Sequence, residues 1–285
     1  MKVGVVSRKD KLEAINIVRD VIEYLEPRGV EVLLETDTAL AMEMPGRNVD
    51  LGEMEVDLVI TIGGDGTIMR TAMLMHDPGT PILGINMGSR GFLTEVMPRD
   101  SRAAFDRILD GDYSLEECIK LSSRCLSKEG IFPDSLNEVL IASSMPSKML
   151  DLRLGVDGEE FLDIQADGVM VAPPTGSTAY NLSAGGSILA PGVDAMILTT
   201  ICPYSYFRSL VIPTTSHITI ELLKPKVDGL AIIDGREYTA IKPGSIVEVW
   251  KSEHKARFVR FRPFYRRLGR RLTFRRVQEG SEKSG

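Results

Sequence analysis

Apolar and polar positions follow two different periods in the first part of the chain. Mostly apolar, β-branched runs, typical of strands buried on both faces of a parallel sheet, occupy residues 2–6, 30–34, 57–62, where Asp57 and Thr61 are the exceptions, and 81–86. Between these runs, apolar residues recur at helical spacing, at residues 12–25, 68–75 and near 99–109. This alternation of strands and helices predicts an α/β domain with a parallel sheet.

The pattern changes after about residue 117, where short strand-like runs are separated by turn dipeptides. Asp-Gly pairs at 157–158, 228–229 and 234–235 are typical of tight turns between antiparallel strands. We therefore expect two domains, an α/β domain at 1–117 and a mostly β domain at 118–257.

The most informative string is Gly63-Gly64-Asp65-Gly66-Thr67, which lies between a predicted strand and a predicted helix. Glycines can adopt positive φ, and they lack the Cβ atoms that would keep a ligand away from the backbone. A helix start also offers unpaired N–H groups and a partial positive charge to a phosphate. The string predicts a phosphate-binding loop with a reactive carboxylate at Asp65, although an ordinary tight turn fits these five residues equally well.

Two further segments combine polar side chains with strand-like runs. Asn137 and Glu138 interrupt an apolar run, so that one of them faces inward, and an inward Asn suits either a nucleoside or a loop that needs its hydrogen bonds. Asp167 precedes an apolar run that leads through two prolines into Thr175-Gly176-Ser177-Thr178-Ala179-Tyr180-Asn181. Hydroxyls, small side chains and one ring in that order suit close wrapping of a polar ligand.

In order and spacing, these three elements resemble the NAD kinases, the ATP-dependent enzymes that phosphorylate the adenosine 2′-hydroxyl of NAD to make NADP. The resemblance spans most of the chain, with further similar segments at 86–93, 184–186 and 201–210. The string at 175–181 is the specific element, because phosphofructokinases and diacylglycerol-type lipid kinases carry close relatives of the glycine string.

The resemblance implies a role for each of these positions. Asp65 would be the catalytic base that accepts the proton of the 2′-hydroxyl. Arg70 and Lys148 are included as binding residues because family members often have basic residues at these places. The implied nucleotide-binding residues are Gly63, Gly64, Gly66, Thr67, Arg70, Asn137, Glu138, Lys148, Asp167, Thr175, Thr178, Ala179, Tyr180, Asn181 and Ser183.

No sequence motif for a protein-held metal is present. The three cysteines, Cys118, Cys125 and Cys202, lack metal-type spacing, so we expect reduced thiols and no structural metal. Mg²⁺ is expected to arrive with ATP, because hard divalent cations in kinases usually bridge phosphates. The sequence contains no Walker A string, so it is not a P-loop kinase.

The resemblance also implies how the domains are arranged. Residues 1–117 would form a nucleotide-binding domain, and residues 118–257 an NAD-binding, sandwich-like β domain, with the active site in the cleft between them. The tail at 258–285 would pack back on the first domain, and the chain would form a homodimer or homotetramer. Apolar residues at helical spacing independently favour a docked tail helix, at Phe261, Phe264, Leu268 and Leu272.

Charge and hydropathy limit the partners. A net charge of −6 argues against nucleic acid as a general partner. Residues 251–276 include 11 Lys or Arg and one acid, which fits a nucleic-acid arm or the solvated face of a docked helix, and the helical spacing favours the helix. No run approaches the roughly 18 consecutive apolar residues of a membrane span. We therefore expect a cytoplasmic protein, without membrane attachment, whose partners are small-molecule nucleotides.

Two other functions share parts of this pattern. A lipid or sugar kinase of the same superfamily would have the glycine string but lack the Asn137-Glu138 pair. A non-catalytic NAD-binding sensor would keep the cleft without needing Asp65. Two departures from the family pattern, Tyr204 where many relatives have His and Arg236 where relatives often have Gln, leave the choice between ATP and polyphosphate open.

Overall fold

The computed structural model of the chain describes residues 1–88, 91–128, 130–223 and 227–272. The strands of its first part are β1 (Lys2–Ser7), β2 (Glu31–Glu35), β3 (Asn48–Val49), β4 (Leu58–Gly63) and β5 (Pro81–Asn86). The helices of this part are α1 (Leu12–Leu25), α2 (Thr36–Ala41), α3 (Asp65–Leu74) and α4 (Ser101–Leu109). Single 3₁₀ turns occupy Glu26–Arg28, Pro45–Arg47, Leu51–Glu53, Pro98–Asp100 and Gly176–Thr178.

The first five strands form a parallel sheet in the order β3-β2-β1-β4-β5. All six residues of β4 are buried, as expected for a strand covered by helices on both faces. α1 buries Val18 and Val21 against the same core as Val5 of β1 and Ile60 of β4. The predicted parallel α/β domain is confirmed, and the carboxyl ends of β1 and β4 open on the edge where ligands bind in such sheets.

The second part is built almost entirely from strands. They are β6 (Ser114–Cys125), β7 (Val139–Ser143), β8 (Leu150–Val156), β9 (Glu159–Ala166), β10 (Gly168–Ala172), β11 (Ala195–Ile201), β12 (Ser209–Pro213), β13 (Ile218–Leu222), β14 (Gly229–Ile233), β15 (Glu237–Ile241) and β16 (Ile246–Arg260). The remaining helices are α5 (Tyr180–Ser183) and α6 (Phe264–Leu272).

β16 joins the two parts. Its carboxyl-terminal end pairs in parallel with β5, through Arg257 with Pro81 and Phe258 with Ile82. Its amino-terminal half pairs antiparallel with β13, and most of its length pairs antiparallel with β6. One sheet therefore runs without interruption from β3 through β5 and β16 to β13, β8 and β9.

A second, antiparallel sheet faces the β-rich half of the first, in the order β12-β11-β10-β7-β14-β15. Alternate residues of both sheets fill one apolar core, among them Leu152, Ile220, Val171 and Leu198. This is the packing that a period-2 pattern produces when each sheet buries one face. The predicted sandwich-like β domain is confirmed.

The tail returns to the predicted first domain, residues 1–117, where Arg267 lies 4.0 Å from Glu95. α6 lies beside β6, where Arg267 donates two hydrogen bonds to Glu116. The portion of the predicted tail beyond residue 272 lies outside the described residues. The predicted boundary between residues 117 and 118 falls within β6, and the division into domains at that point stays a prediction. Among the described residues, no helix is long and apolar enough to cross a membrane.

Candidate functional site

The glycine string forms the turn from β4 into α3. α3 begins at Asp65, three residues earlier than the helical pattern at 68–75 indicates, with Gly64 as an extended N-cap residue at φ −114°. Gly63, Gly64 and Gly66 do not have positive φ in the structure. Gly63 is needed because its backbone lies close to the side chain of Thr67, which a Cβ atom at residue 63 would overlap.

The Asp65 carboxylate is half-buried and held by the backbone of residues 92–94. Its Oδ2 accepts from the N–H of Phe92 at 2.6 Å, and its Oδ1 accepts from the N–H groups of Leu93 and Thr94 at 3.0 and 3.4 Å. A Cβ atom on Gly91 would lie 2.5 Å from Oδ1, so this loop wraps closely around the carboxylate. Three directed hydrogen bonds fix the orientation of the carboxylate.

A cavity of about 550 Å³ opens beside Asp65, at the carboxyl ends of β1 and β4. Its wall combines the backbone of the glycine string with charged side chains, namely Arg8, Lys9, Asp10, Asp37, Arg70 and Arg236. A cavity rich in cations at a helix start suits an anionic ligand such as a polyphosphate chain.

The cations of this cavity are fixed by neighbours. Arg8 forms a two-pronged ion pair with Asp10, and the hydrogen bonds from Arg8 lower the pKa of Asp10 to about 2. Arg70, which the sequence predicts to lie near the nucleotide, donates to the buried Glu35 at 2.7 Å. Arg236 reaches across from the β domain and donates to the carbonyl oxygen of Gly66.

A buried carboxylate, Asp234, organises the backbone around Asn137 and Glu138. It accepts from the N–H groups of Leu136, Asn137 and Glu138 at 2.8, 2.7 and 3.0 Å, and from the hydroxyl of Ser135 at 2.9 Å. Burial raises the pKa of Asp234 against the opposing effect of these hydrogen bonds. In the sequence Asp234 is recognisable only as part of an Asp-Gly turn, so its organising role was missed.

Glu138 lies inside the protein and Asn137 at its margin. Glu138 is 7% exposed, and its Oε2 has no hydrogen-bond partner. Burial, with a further contribution from Asp234, raises the pKa of Glu138 from 4.5 to about 7. The amide of Asn137 contacts the sulfur of Met69 at 3.1 Å, which ties this segment to α3 and thus to the element that carries Asp65.

Replacing Glu138 with Gln is expected to change how stability depends on pH. The native state keeps a proton on Glu138 that the unfolded state loses between pH 4.5 and about 7, so the free energy of unfolding of the wild type falls as pH rises through that window. The variant lacks this contribution. Its free energy of unfolding, relative to that of the wild type, should therefore rise by up to about 1.4 kcal/mol per pH unit. Urea unfolding between about pH 5 and pH 8 measures the difference.

Glu55→Gln is the matched control, since the side chain of Glu55 is 82% exposed. Its stability difference from the wild type should stay flat across the same pH range. Parallel pH profiles of Glu138→Gln and the wild type would contradict the assignment of the slope to Glu138.

The segment 173–183 packs against Asn137 through Gly176. A Cβ atom on Gly176 would overlap the backbone carbonyl of Asn137, so the two segments touch main chain to main chain. Thr175 and Thr178 then line a cleft together with Phe92 and Leu93 of the loop that holds Asp65. The structure thus brings the glycine string, the Asn-Glu pair and this segment together.

Residues of this segment divide into an inner and an outer set. The amide of Asn181 is fully buried, donating to the carbonyls of Ser177 and Ser187 and accepting from the hydroxyl of Thr199. The Asn181 side chain therefore holds this loop together, and its contact with a nucleotide stays a prediction. The outer set, half-buried or exposed, consists of Thr175, Thr178, Ala179, Tyr180 and Ser183.

Asp167 and Lys148 lie at the other end of the β domain. Asp167 precedes β10 and Thr175 follows it, so a five-residue strand of roughly 17 Å separates them. The carbonyl of Asp167 accepts from the N–H of Ser143, where β7 leads into the turn that carries the exposed Lys148. Within one chain these two residues are not brought to Asp65, and their nucleotide contacts stay a prediction.

Comparison with known proteins adds the following. The ATP-NAD kinase N-terminal domain matches residues 3–113, and the ATP-NAD kinase C-terminal domain matches residues 136–261. The NAD kinase of Methanothermobacter thermautotrophicus is 40% identical over 277 residues, which cover 95% of this chain and 96% of the relative. The NAD kinase of Methanopyrus kandleri is 41% identical over 266 residues, covering 92% and 94%.

Two solved structures share the fold. An NAD kinase from Archaeoglobus fulgidus in complex with ATP superposes with a TM-score of 0.77 at 28% identity, covering 95% of this chain and 98% of that one. Yeast NADH kinase complexed with NADH superposes with a TM-score of 0.85 at 24% identity, covering 98% and 90%.

Proposed function

Because this chain belongs to the ATP-NAD kinase family, we propose that it transfers the γ-phosphoryl group of ATP to the adenosine 2′-hydroxyl of NAD and so forms NADP. In this proposal Asp65 is the general base. The observation that carries this proposal is the Asp65 carboxylate held by three backbone N–H groups, with Phe92 and Leu93 on one cleft and Gly64 and Gly66 on the other. A carboxylate has about four lone-pair positions, so one remains to accept the proton of a hydroxyl. Such a fixed base near the hydroxyl is what phosphoryl transfer to an alcohol needs.

The donor phosphates would occupy the cationic cavity beside Asp65. Arg8, Lys9 and Arg236 line it, and the first N–H groups of α3 have no partner within the helix. The N–H of Thr67 already donates to the carbonyl of Gly64 at 3.0 Å, so the side-chain cations carry more of the binding than the glycine string alone suggests. Hydrogen bonds from such cations to phosphate oxygens are stronger than hydrogen bonds between neutral groups.

Mg²⁺ would accompany the donor. Carboxylate oxygens of Asp10 and Asp37 line the cavity, which is the ligand chemistry that Mg²⁺ prefers. Asp10 is held by Arg8, whereas Asp37 lies at 3.3 Å from Lys9 and 3.8 Å from Arg70, so Asp37 is the residue that would hold a magnesium–phosphate complex. The ion would neutralise charge on the transferring group.

The acceptor NAD would lie along the opposite cleft. Phe92, Thr175 and Thr178 line this cleft, and the Asn137-Glu138 segment packs against the same loop at Gly176. Hydroxyls of Thr175 and Thr178 and the ring of Tyr180 suit a ribose and a base. In this arrangement Asp65 stands between the donor phosphates and the acceptor sugar.

We also propose a cytoplasmic homodimer or homotetramer. Cys118 and Cys125 are buried free thiols, which fits a reducing compartment. Leu210 and Val211 are exposed on β12, an edge strand of the second sheet, and such an edge suits a second copy of the chain. Light scattering of the purified protein tests the assembly, and a monodisperse monomer would reject it.

Incubating purified protein with NAD, ATP and Mg²⁺ tests the activity. NADP is the expected product, measured with an NADP-specific dehydrogenase. Absence of NADP with either ATP or inorganic polyphosphate as donor would reject the proposal. Turnover of a sugar or lipid acceptor instead of NAD would favour the related kinases.

Replacing Arg236 with Gln is expected to raise KM for ATP about 10-fold with a smaller change in kcat, because one cation leaves the wall of the donor cavity. Initial rates at varied ATP measure the change. Arg99→Gln, at a side chain that is 85% exposed and lies 3.8 Å from its neighbour Asp100, is the control. An unchanged KM in Arg236→Gln would place the donor phosphates elsewhere.

A further inference from the structure

A second layer of contacts lies directly behind the loop that holds Asp65. Arg260, the last residue of β16, is 4% exposed, and its Nη1 donates to the carbonyl oxygen of Leu93 at 2.7 Å. The peptide group from Leu93 to Thr94 therefore accepts from Arg260 through its oxygen and donates to Asp65 through its N–H. One peptide unit connects a guanidinium to the carboxylate, and polarisation along such a chain strengthens both hydrogen bonds.

Arg260 is itself held within a buried group of four charges. Its Nε donates to Glu116, and its Nη1 lies 3.6 Å from Glu95 Oε2. Arg267 of α6 donates to both oxygens of Glu116 at 2.7 and 2.8 Å. The charges of the two guanidinium groups and the two carboxylates cancel, and buried ions are tolerated when they are paired in this way.

The charge state of Glu116 supports this arrangement. Burial acts to raise the pKa of Glu116, but the guanidinium groups of Arg260 and Arg267 outweigh it and hold the pKa below its ordinary value. Glu116 is therefore ionised at neutral pH and fixes the guanidinium of Arg260 from the side opposite the loop.

We propose that Arg260 is a positioning residue for phosphoryl transfer. By holding the Leu93 carbonyl, it sets the plane of the peptide group that aims the Asp65 carboxylate at the acceptor hydroxyl. Arg260 borders the cleft at Phe92, but it is 4% exposed and its hydrogen bonds go to Glu116 and to the Leu93 carbonyl, so it acts on Asp65 through the loop. This inference rests on the proposed role of Asp65 as general base.

The test removes the contact without unbalancing the charges. In the double variant Arg260→Met, Glu116→Gln, one charge of each sign is lost, Arg267 and Glu95 remain as a pair, and the Leu93 carbonyl loses its donor. We expect kcat to fall about 10- to 100-fold while KM for NAD stays within about threefold, since a small displacement of a catalytic group costs up to about 10²-fold.

The matched control is Arg124→Met, Glu248→Gln, which removes an ion pair of 2.6 Å between the same two strands, β6 and β16. It makes the same change in charge but keeps the hydrogen bond from Arg260 to Leu93, and its kcat should stay within about threefold of the wild type. Thermal unfolding of each variant establishes that it is folded. Where the first double variant does not fold, Arg260→Lys, which keeps the charge but loses the planar fork, takes its place.

A double-mutant cycle separates positioning from general damage. In an Asp65→Asn background, Arg260→Met, Glu116→Gln should change the residual rate by less than about threefold, because no base is left to aim. An equal loss in both backgrounds, or equal losses in the two double variants, would overturn the inference. Near-normal turnover of Asp65→Asn alone would instead reject the proposed role of Asp65, so the two failures are distinguishable.

Discussion

Replacing Asp65 with Asn is expected to lower kcat for NADP formation by about 10²- to 10⁴-fold, while the affinity for NAD stays within about threefold. The amide keeps the shape of the carboxylate but cannot accept the proton of the hydroxyl. Its NH₂ group also meets the N–H of either Phe92 or Leu93, where the carboxylate accepted a hydrogen bond. Initial rates give kcat, and calorimetric titration with NAD gives the affinity.

Asp110→Asn is the matched control, because Asp110 is an exposed carboxylate at the end of α4. Its kcat should equal that of the wild type. Turnover of Asp65→Asn within about threefold of the wild type would remove Asp65 from the role of base. A parallel loss of NAD affinity would show that Asp65 acts in binding.

Replacing Gly176 with Ala is expected to damage both stability and NAD binding. The new Cβ atom would overlap the carbonyl of Asn137 and lie 2.7 Å from its Cα, and backbone atoms cannot rotate away as a side chain could. The hydrogen bond from the N–H of Asn137 to Asp234 resists displacement of that segment. Overpacking of this kind costs about 1–3 kcal/mol, so Tm should fall by about 3–10 °C.

The same substitution pushes the segment with Thr175 and Thr178, which line the proposed NAD cleft, away from Asn137. KM for NAD should therefore rise at least about 10-fold, measured by initial rates in the same preparation used for thermal unfolding. Gly46→Ala is the control, since a Cβ atom there meets nothing within 4 Å and its φ is not positive. Gly176→Ala with unchanged Tm and KM would show that the two segments are not held as closely as the structure has them.

The fold was predictable because each element leaves a local pattern. β4 is buried along its whole length and mostly apolar, since helices cover both of its faces, and α1 repeats apolar residues on one side. The start of α3 was placed too late because glycines in the string weigh against helix in any local pattern. In the structure Gly66 lies in the first turn, where a missing side chain makes room for Arg236 of the β domain.

The candidate site was predictable only in its motifs. The three segments were identified by resemblance, but the residues that hold them were not, because their contacts join distant parts of the chain. Asp234 lies 97 positions from Asn137, and Arg260 lies 167 positions from Leu93. Such pairs produce no periodicity, and an Asp-Gly pair such as 234–235 is the ordinary pattern of a turn.

The parallel pairing of β5 with β16 has a consequence for synthesis of the protein. During translation, β5 gains its second neighbour only after Phe258 has emerged from the ribosome, some 170 residues after β5 itself. Until then the edge of β5 near Ile82 offers unsatisfied backbone groups to other nascent chains, whereas Gly84 and Asn86 already bond with residues 95–96. We expect truncated polypeptides that end before β16 to aggregate, and holding chaperones to associate with the growing chain over that interval.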